Sequence, residues 1–409
     1  MQTILFHKEY KDFSMIRFII LLAILTAFPP LSTDMYLPAI PFLQTLWEQP
    51  LAVINLTLVL FFTVYCISLL IYGPLSDRFG RRPPLIFGIS IFIIGSLLCA
   101  AANGIEMLIA ARIIQAAGAG SASAISMAIA KDRLEASQRE KVLGYVSVIM
   151  ALAPMIAPMI GSIIITRFTW PWIFVSQAAM GCVALIGVIF TPESHPDPKG
   201  ASVKDLVKNY GRILANKRFM SVVACTSIVG LPFFGFIAAS SSIYISYYHV
   251  SEKIFAVFFG ANAFCFMSGA MVCARFGSRI GSVNMMTIGF GSVAVGGVLM
   301  ILQIFPGLWA LFIPMGFISF CLGISRPPTN NLALEQVRED AGAASALLVF
   351  IYFMVGASGM ALVSLDWENK VFFIGAVAIV TGSVSSVLWY FVKTRIHIPE
   401  TVKLVRTRK

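Results

Sequence analysis

Charged residues are scarce in this 409-residue chain: they make up 12% of it, against roughly 25% in a soluble domain. No stretch is polar enough to build a soluble domain of about 100 residues, because 58% of the residues are hydrophobic and the 33 phenylalanines are spread along the whole length. That excludes soluble enzymes. The G-x4-G-K-[ST] phosphate loop and the H-E-x-x-H zinc helix are both missing, so ATP hydrolysis is not expected and no cofactor is called for. The seven cysteines fall inside apolar runs without C-x-x-C spacing, and are read as packing residues, with neither disulfides nor a metal site. No small-residue cleavage pattern follows the charged N-terminal stretch, which predicts an uncleaved first helix.

What is present is a series of long apolar runs. A membrane-crossing helix takes about 20 such residues, and runs between charges predict spans near 16–38, 51–74, 84–103, 106–130, 142–166 and 172–191, then 219–248, 254–274, 282–303, 306–325, 342–364 and 371–392. The expected architecture is all-α and integral to the membrane, with an N-terminal six-helix bundle (1–191), a linker (192–218), and a C-terminal six-helix bundle with its tail (219–409). Of the 30 Lys and Arg residues, 26 fall in the two termini and in alternate segments on one side. The positive-inside rule then puts both termini in the cytoplasm. It also explains the net charge of +11 without nucleic acid as a partner.

Within the linker, Val203, Leu206, Val207, Tyr210, Ile213 and Leu214 fall at helical spacing, with Lys204, Lys208 and Arg212 between them. This predicts an amphipathic basic helix lying on an anionic leaflet, with a solvated helical linker as the competing reading. RFGSRIG (Arg275–Gly281) echoes LSDRFG (Leu75–Gly80) about half a chain away, matching Arg78 to Arg279 and Gly80 to Gly281. Related halves with a site between them near the midplane are a transporter plan.

A transporter without ATP draws on an ion gradient, which directs attention to ionisable groups inside the spans. Asp34, just after Pro29-Pro30, is read as the one carboxylate well within a span, and Arg112 as the one base. If the first helix ends near Ala39 or Ile40, the two lie at similar depth, and a direct or water-linked pair is expected. Asp34 is the candidate proton site, because low dielectric favours a protonated carboxyl and a neighbouring guanidinium the ionised form. An interfacial Asp34 capping a kink and a static ion pair at Arg112 are the competing readings. Polar or aromatic residues in apolar spans, Tyr36, Asn55, Gln115, Tyr244 and Asn262, are candidate substrate contacts, or interhelical hydrogen-bonding groups. Gln115 follows Arg112 by three residues and shares its face.

The hairpin GPLSDRFGRR (Gly73–Arg82) resembles the loop signature of the major facilitator superfamily. RIIQAAGAG (Arg112–Gly120) is similar to that family's fourth-helix motif. APMIAPMIG (Ala153–Gly161) is similar to the fifth-helix motif linked with antiporters, with Ala157 where the pattern has Gly. STDMYLPAIP (Ser32–Pro41) resembles the first helix of the Bcr/CflA branch of twelve-span drug:proton antiporters. The resemblance implies a proton-coupled exporter of phenicol-, bicyclomycin- or lipophilic-cation-like molecules, a monomer in the bacterial inner membrane. It implies a cytoplasmic gate at Gly73, Asp77, Arg78, Gly80, Arg81 and Arg82, and a bend at Pro154, Pro158 and Gly161. An exporter of a metabolite (amino acid, siderophore or sugar) and a non-transporting membrane sensor are the alternatives.

Overall fold

Lipid offers a chain no hydrogen-bond partners, so a long apolar run satisfies its own backbone by becoming a helix. The computed structural model describes residues 2–194, 203–337 and 340–396, and twelve of its helices are long and apolar enough to cross a membrane. They are Met15–Leu46, Leu51–Phe79, Arg82–Ala100, Ile105–Arg133, Lys141–Arg167 and Pro171–Ile189, then Lys217–Tyr247, Glu252–Ile280, Ser282–Ile301, Trp309–Glu335, Gly342–Ser364 and Lys370–Val392. Among the described residues there is no strand. The expected all-α membrane fold of six plus six helices is what the chain adopts; the final tail, 397–409, lies outside the described residues.

In the first half the third span packs on the fourth and sixth, the second on the fourth, and the first on the fourth and fifth. The second half repeats the plan, with the ninth span on the tenth and twelfth, the eighth on the tenth, and the seventh on the eleventh. The halves meet where the fifth span touches the eighth and the second touches the eleventh. Between helices in lipid, close backbone packing at small residues replaces the hydrophobic effect. A Cβ on Gly323 would lie 2.1 Å from the Phe266 carbonyl oxygen, and one on Gly269 2.0 Å from that of Phe320, so the eighth and tenth spans touch reciprocally, backbone to backbone.

The internal repeat is visible in the backbone. Gly80 and Gly281 end the second and eighth spans with φ of 85° and 84°, a region that L side chains seldom enter. A Cβ at Gly80 would also lie 2.8 Å from a Glu193 carboxylate oxygen. Gly80→Ala is therefore expected to destabilise the protein by about 1–2 kcal/mol, read as a lowered thermal midpoint in detergent, while Gly73→Ala, with open space around it, leaves the midpoint unchanged.

The first and seventh spans are discontinuous. The first runs helically through Pro29 and Pro30 to Asp34, turns at Met35–Tyr36, passes a 3-10 turn at Leu37–Ala39 and resumes over Ile40–Leu46. The seventh breaks at Val229–Gly230 and ends in a π-helical turn, Ser242–Tyr247. The first span thus reaches Leu46, not Ala39 or Ile40. Asp34 lies twelve positions before that end, about 18 Å at 1.5 Å per residue, whereas Arg112 lies seven positions, about 10 Å, into its own helix from the same side. The turn and 3-10 segment between Asp34 and Leu46 take up this difference, because the Arg112 guanidinium reaches the Ser32 carbonyl at 3.0 Å.

The linker helix, Val203–Leu214, docks on the protein through its C-terminal half. Ile213 is buried in the core, the Tyr210 hydroxyl donates to the Leu70 carbonyl at 3.3 Å, and Arg212 pairs with Asp340 at 3.0 Å. Burial and the nearby Asp77 charge push the Tyr210 phenol up, which keeps it a donor. The side chains of residues 203–207 lie outside the described residues.

Candidate functional site

Between the two halves lies a cavity of about 1640 Å³, larger than the usual few hundred to about 1,000 Å³ of a drug-sized site. Its mouth is on the side that carries the basic loops, lined by Gly73, Asp77, Lys208, Arg212 and Asp340. The other end is sealed. There Asn55 of the second span donates to the Ala238 carbonyl at 2.9 Å and to the Ser364 hydroxyl at 2.7 Å, tying the first half to the seventh and eleventh spans.

Ten aromatic side chains line the wall. Phe62 stacks on Phe353 with centroids 5.4 Å apart, Phe234 meets both Phe353 and Tyr352, and Phe233 meets Phe266. Met127, Met150 and Met267 fill the gaps, a deformable surface suited to varied apolar ligands. Asp34 is the carboxylate of the deep wall, 6% exposed, its Oδ1 accepting from the Thr33 hydroxyl at 3.0 Å. Asn262, on the eighth span opposite, is 2% exposed; its amide oxygen accepts from Ser319 at 2.7 Å and its buried amide nitrogen has no partner among the described residues.

Arg112 is elsewhere. It is fully buried behind the wall and makes no ion pair among the described residues. Its Nη1 donates to the Ser32 carbonyl at 3.0 Å and to Gln115 Oε1 at 2.6 Å, and its guanidinium lies 4.2 Å from the Phe61 centroid. Gln115 donates in turn to Ser96 and to Gln177, both at 2.8 Å, and Gln177 reaches the Leu31 carbonyl at 3.3 Å. Carbonyls next to the break in the first span are thus met by side chains of the fourth and sixth. The expected direct pair of Asp34 with Arg112 is not formed; the link is through the backbone of Ser32, two residues from Asp34.

Of the five expected substrate contacts, Asn262 lines the cavity. Tyr36, Asn55, Gln115 and Tyr244 do not. The Tyr36 hydroxyl accepts from Thr57 at 3.2 Å and Tyr244 stacks on Phe258, so these four are packing and interhelical bonding groups in this state. Sequence reasoning missed the phenylalanines of the wall, which are indistinguishable in sequence from those that face lipid.

The first hairpin is a closed charge network within one half. Arg81 bonds Asp132 at 2.8 Å, Ser76 at 2.8 Å, and Asp77. Burial pulls the Arg81 guanidinium down, but the hydrogen bonds and charges of Asp132 and Asp77 outweigh it and hold the group above its ordinary range. Glu193 accepts from the backbone N–H groups of Arg81 and Arg82, each at 2.9 Å. Arg82 also donates to the Ile189 carbonyl, and Arg78 is exposed over the Phe79 ring. The fifth span stays helical through Pro154, which lines the cavity, and Pro158. A Cβ on Gly161 would lie 2.0 Å from the Met35 carbonyl oxygen, so this glycine admits the turn that follows Asp34.

Paired six-helix halves, a cavity between them and a charged hairpin at Gly73–Arg82 form one known plan, and the sequence model of that family matches residues 22–360. The chain belongs to the Major Facilitator Superfamily. It is 30% identical over 377 residues, 90% of this chain and 94% of the other, to the MFS-type transporter YdgK of Bacillus subtilis. It is 27% identical, over 92% of this chain and 96% of the other, to a bicyclomycin resistance protein homolog of Haemophilus influenzae. Over about half of each chain it is 30% identical to the multidrug resistance protein MdtL of Escherichia coli. Among solved structures, a D-xylose-proton symporter superposes with a TM-score of 0.71 at 18% identity, over 94% of this chain and 98% of the other, a likeness of fold. The chain is a multi-pass membrane protein of a transporter family and not an enzyme.

Proposed function

We propose that this chain exports amphiphilic drugs from the cytoplasm in exchange for protons, with Asp34 carrying the proton and the aromatic cavity carrying the cargo. The observation that carries the reading is the position of Asp34: one buried carboxylate on the deep wall of a large aromatic cavity that opens on the basic side. A carboxylate there binds either a proton or a basic ligand, and one group serving both makes their movements alternate. With the basic loops in the cytoplasm, the open mouth faces the drug and the sealed end faces out. The two halves rock about the cavity, breaking the Asn55 contacts and closing Gly73, Asp77 and the neighbouring arginines. Entry of one proton yields about 2.3 kcal/mol per 100 mV and about 1.4 kcal/mol per pH unit, enough for a drug gradient of a few hundredfold.

The likeness to the bicyclomycin resistance protein homolog and to the multidrug resistance protein MdtL supports drugs as cargo, and the aromatic, methionine-lined wall supports amphiphiles over sugars. Drug-resistance profiling tests this: a drug-sensitive bacterial strain expressing the chain is grown on phenicols, bicyclomycin and lipophilic cations. Resistance to at least one of these classes is expected; none, despite good membrane expression, would refute the drug reading in favour of a metabolite. A ligand acceptor that reaches the buried amide nitrogen of Asn262, unpartnered among the described residues, gains about 1 kcal/mol. Asn262→Leu is accordingly expected to weaken binding of acceptor-bearing drugs about fivefold, measured by isothermal titration, with lipophilic cations lacking an acceptor unaffected.

A further inference from the structure

A second charged group stands behind the cavity wall, on the other half from Asp34. Arg326 falls within the tenth span, nine residues before its end at Glu335, about 13 Å inward from the basic side at 1.5 Å per residue. Its guanidinium lies 3.2 Å from the ring centroid of Tyr352, and the Tyr352 side chain lines the cavity. Among the described residues no carboxylate pairs with Arg326, and its Nη1 is buried without a hydrogen-bond partner. One turn further along, Asn330 Oδ1 is also buried and unpartnered.

A guanidinium keeps its charge under all working conditions, and inside a membrane an arginine is costly unless it meets an anion, a carbonyl or a ligand. Here one aromatic ring stands between it and the cavity. With Asp34 on the first span and Arg326 on the tenth, the space between the halves is dipolar, acid on one side and base on the other, with phenylalanines between. A purely cationic cargo would make no use of the second charge. A molecule carrying both a basic and an acidic group across an aromatic body matches it end to end.

We propose that Arg326 is an anion-anchoring residue of the transport cavity, reached when the Tyr352 ring turns off it, and that the cavity takes amphoteric aromatic molecules, amine toward Asp34 and carboxylate toward Arg326. This rests on the reading of the cavity as the transport site.

The test is binding to the full-length protein in nanodiscs by three compounds on one fluorescent skeleton: methyl 6-(aminomethyl)-2-naphthoate (amine only, an ester), 6-methyl-2-naphthoate (acid only) and 6-(aminomethyl)-2-naphthoate (both, at opposite ends of the ring system). Arg326→Gln is expected to weaken the acid and the amphoteric compound at least tenfold and to leave the ester unchanged. Arg326→Lys retains most of their binding, and Tyr352→Leu, which uncovers the guanidinium, tightens the acid. Asp34→Asn weakens the ester. If ester binding depends on Asp34 while the other two ignore Arg326, or if Arg326→Gln weakens all three alike, the arginine is a strut and the proposal falls while the cavity reading stands. If none of the three binds, both fall.

Discussion

Asp34→Asn is expected to reduce drug export against a gradient at least tenfold, bringing resistance of the host strain down to that of cells without the protein. The substitution keeps the size and the Thr33 contact of the side chain but removes the exchangeable proton and the charge. Of the cavity carboxylates among the described residues, Asp77 and Asp340 stand at the mouth and Asp34 on the deep wall, so none of the others is placed to take over. The variant still inserts and folds, which membrane yield and an unshifted thermal midpoint check. Unchanged uphill export by a well-expressed Asn variant would contradict the assignment.

Arg112→Ala is expected to abolish transport by a different route, and to lower stability as well. Its guanidinium holds Ser32 and Gln115, and each charge-assisted hydrogen bond lost costs about 1.5–3 kcal/mol, with the Ser32 carbonyl stranded at the break in the first span. Asp34 sits two residues from that carbonyl, so its placement in the wall loosens with it. Arg112→Lys gives partial activity, because a point-like ammonium does not reproduce the planar fork that holds both oxygens beside Phe61. Transport assays paired with thermal unfolding check both variants; full activity and an unshifted midpoint in the Ala variant would return Arg112 to a dispensable packing role.

The twelve spans were legible because lipid imposes a length and a composition on any helix that crosses it, and the repeat was legible because Gly80 and Gly281 meet the same backbone demand. Asp34 was legible for the same reason: an acid in an apolar run has few innocent explanations. Arg326 was not. Pro327-Pro328 reads as the end of a span, and the arginine before it as a loop charge, yet the tenth helix continues to Glu335 through both prolines. The first span deceived in the same way, since Pro38 and Pro41 suggest an exit where the structure has only a turn. Tyr36, Asn55, Gln115 and Tyr244 are polar groups in apolar helices, and sequence alone does not say whether such a group meets a ligand or another helix. Here they meet helices: Asn55 at the sealed end, where it joins the halves, and Gln115 inside the first bundle behind the wall.

Export in exchange for protons requires that cargo and proton compete for Asp34. Adding tetraphenylphosphonium to the purified protein in weakly buffered detergent solution, and following the pH with an indicator dye between pH 5 and 8, measures this without any transport. About one proton released per cation bound by the native protein, at some pH in that range, and none by Asp34→Asn, is the predicted result. Binding by the native protein without proton release at any pH, or the same release from the Asn variant, would contradict it.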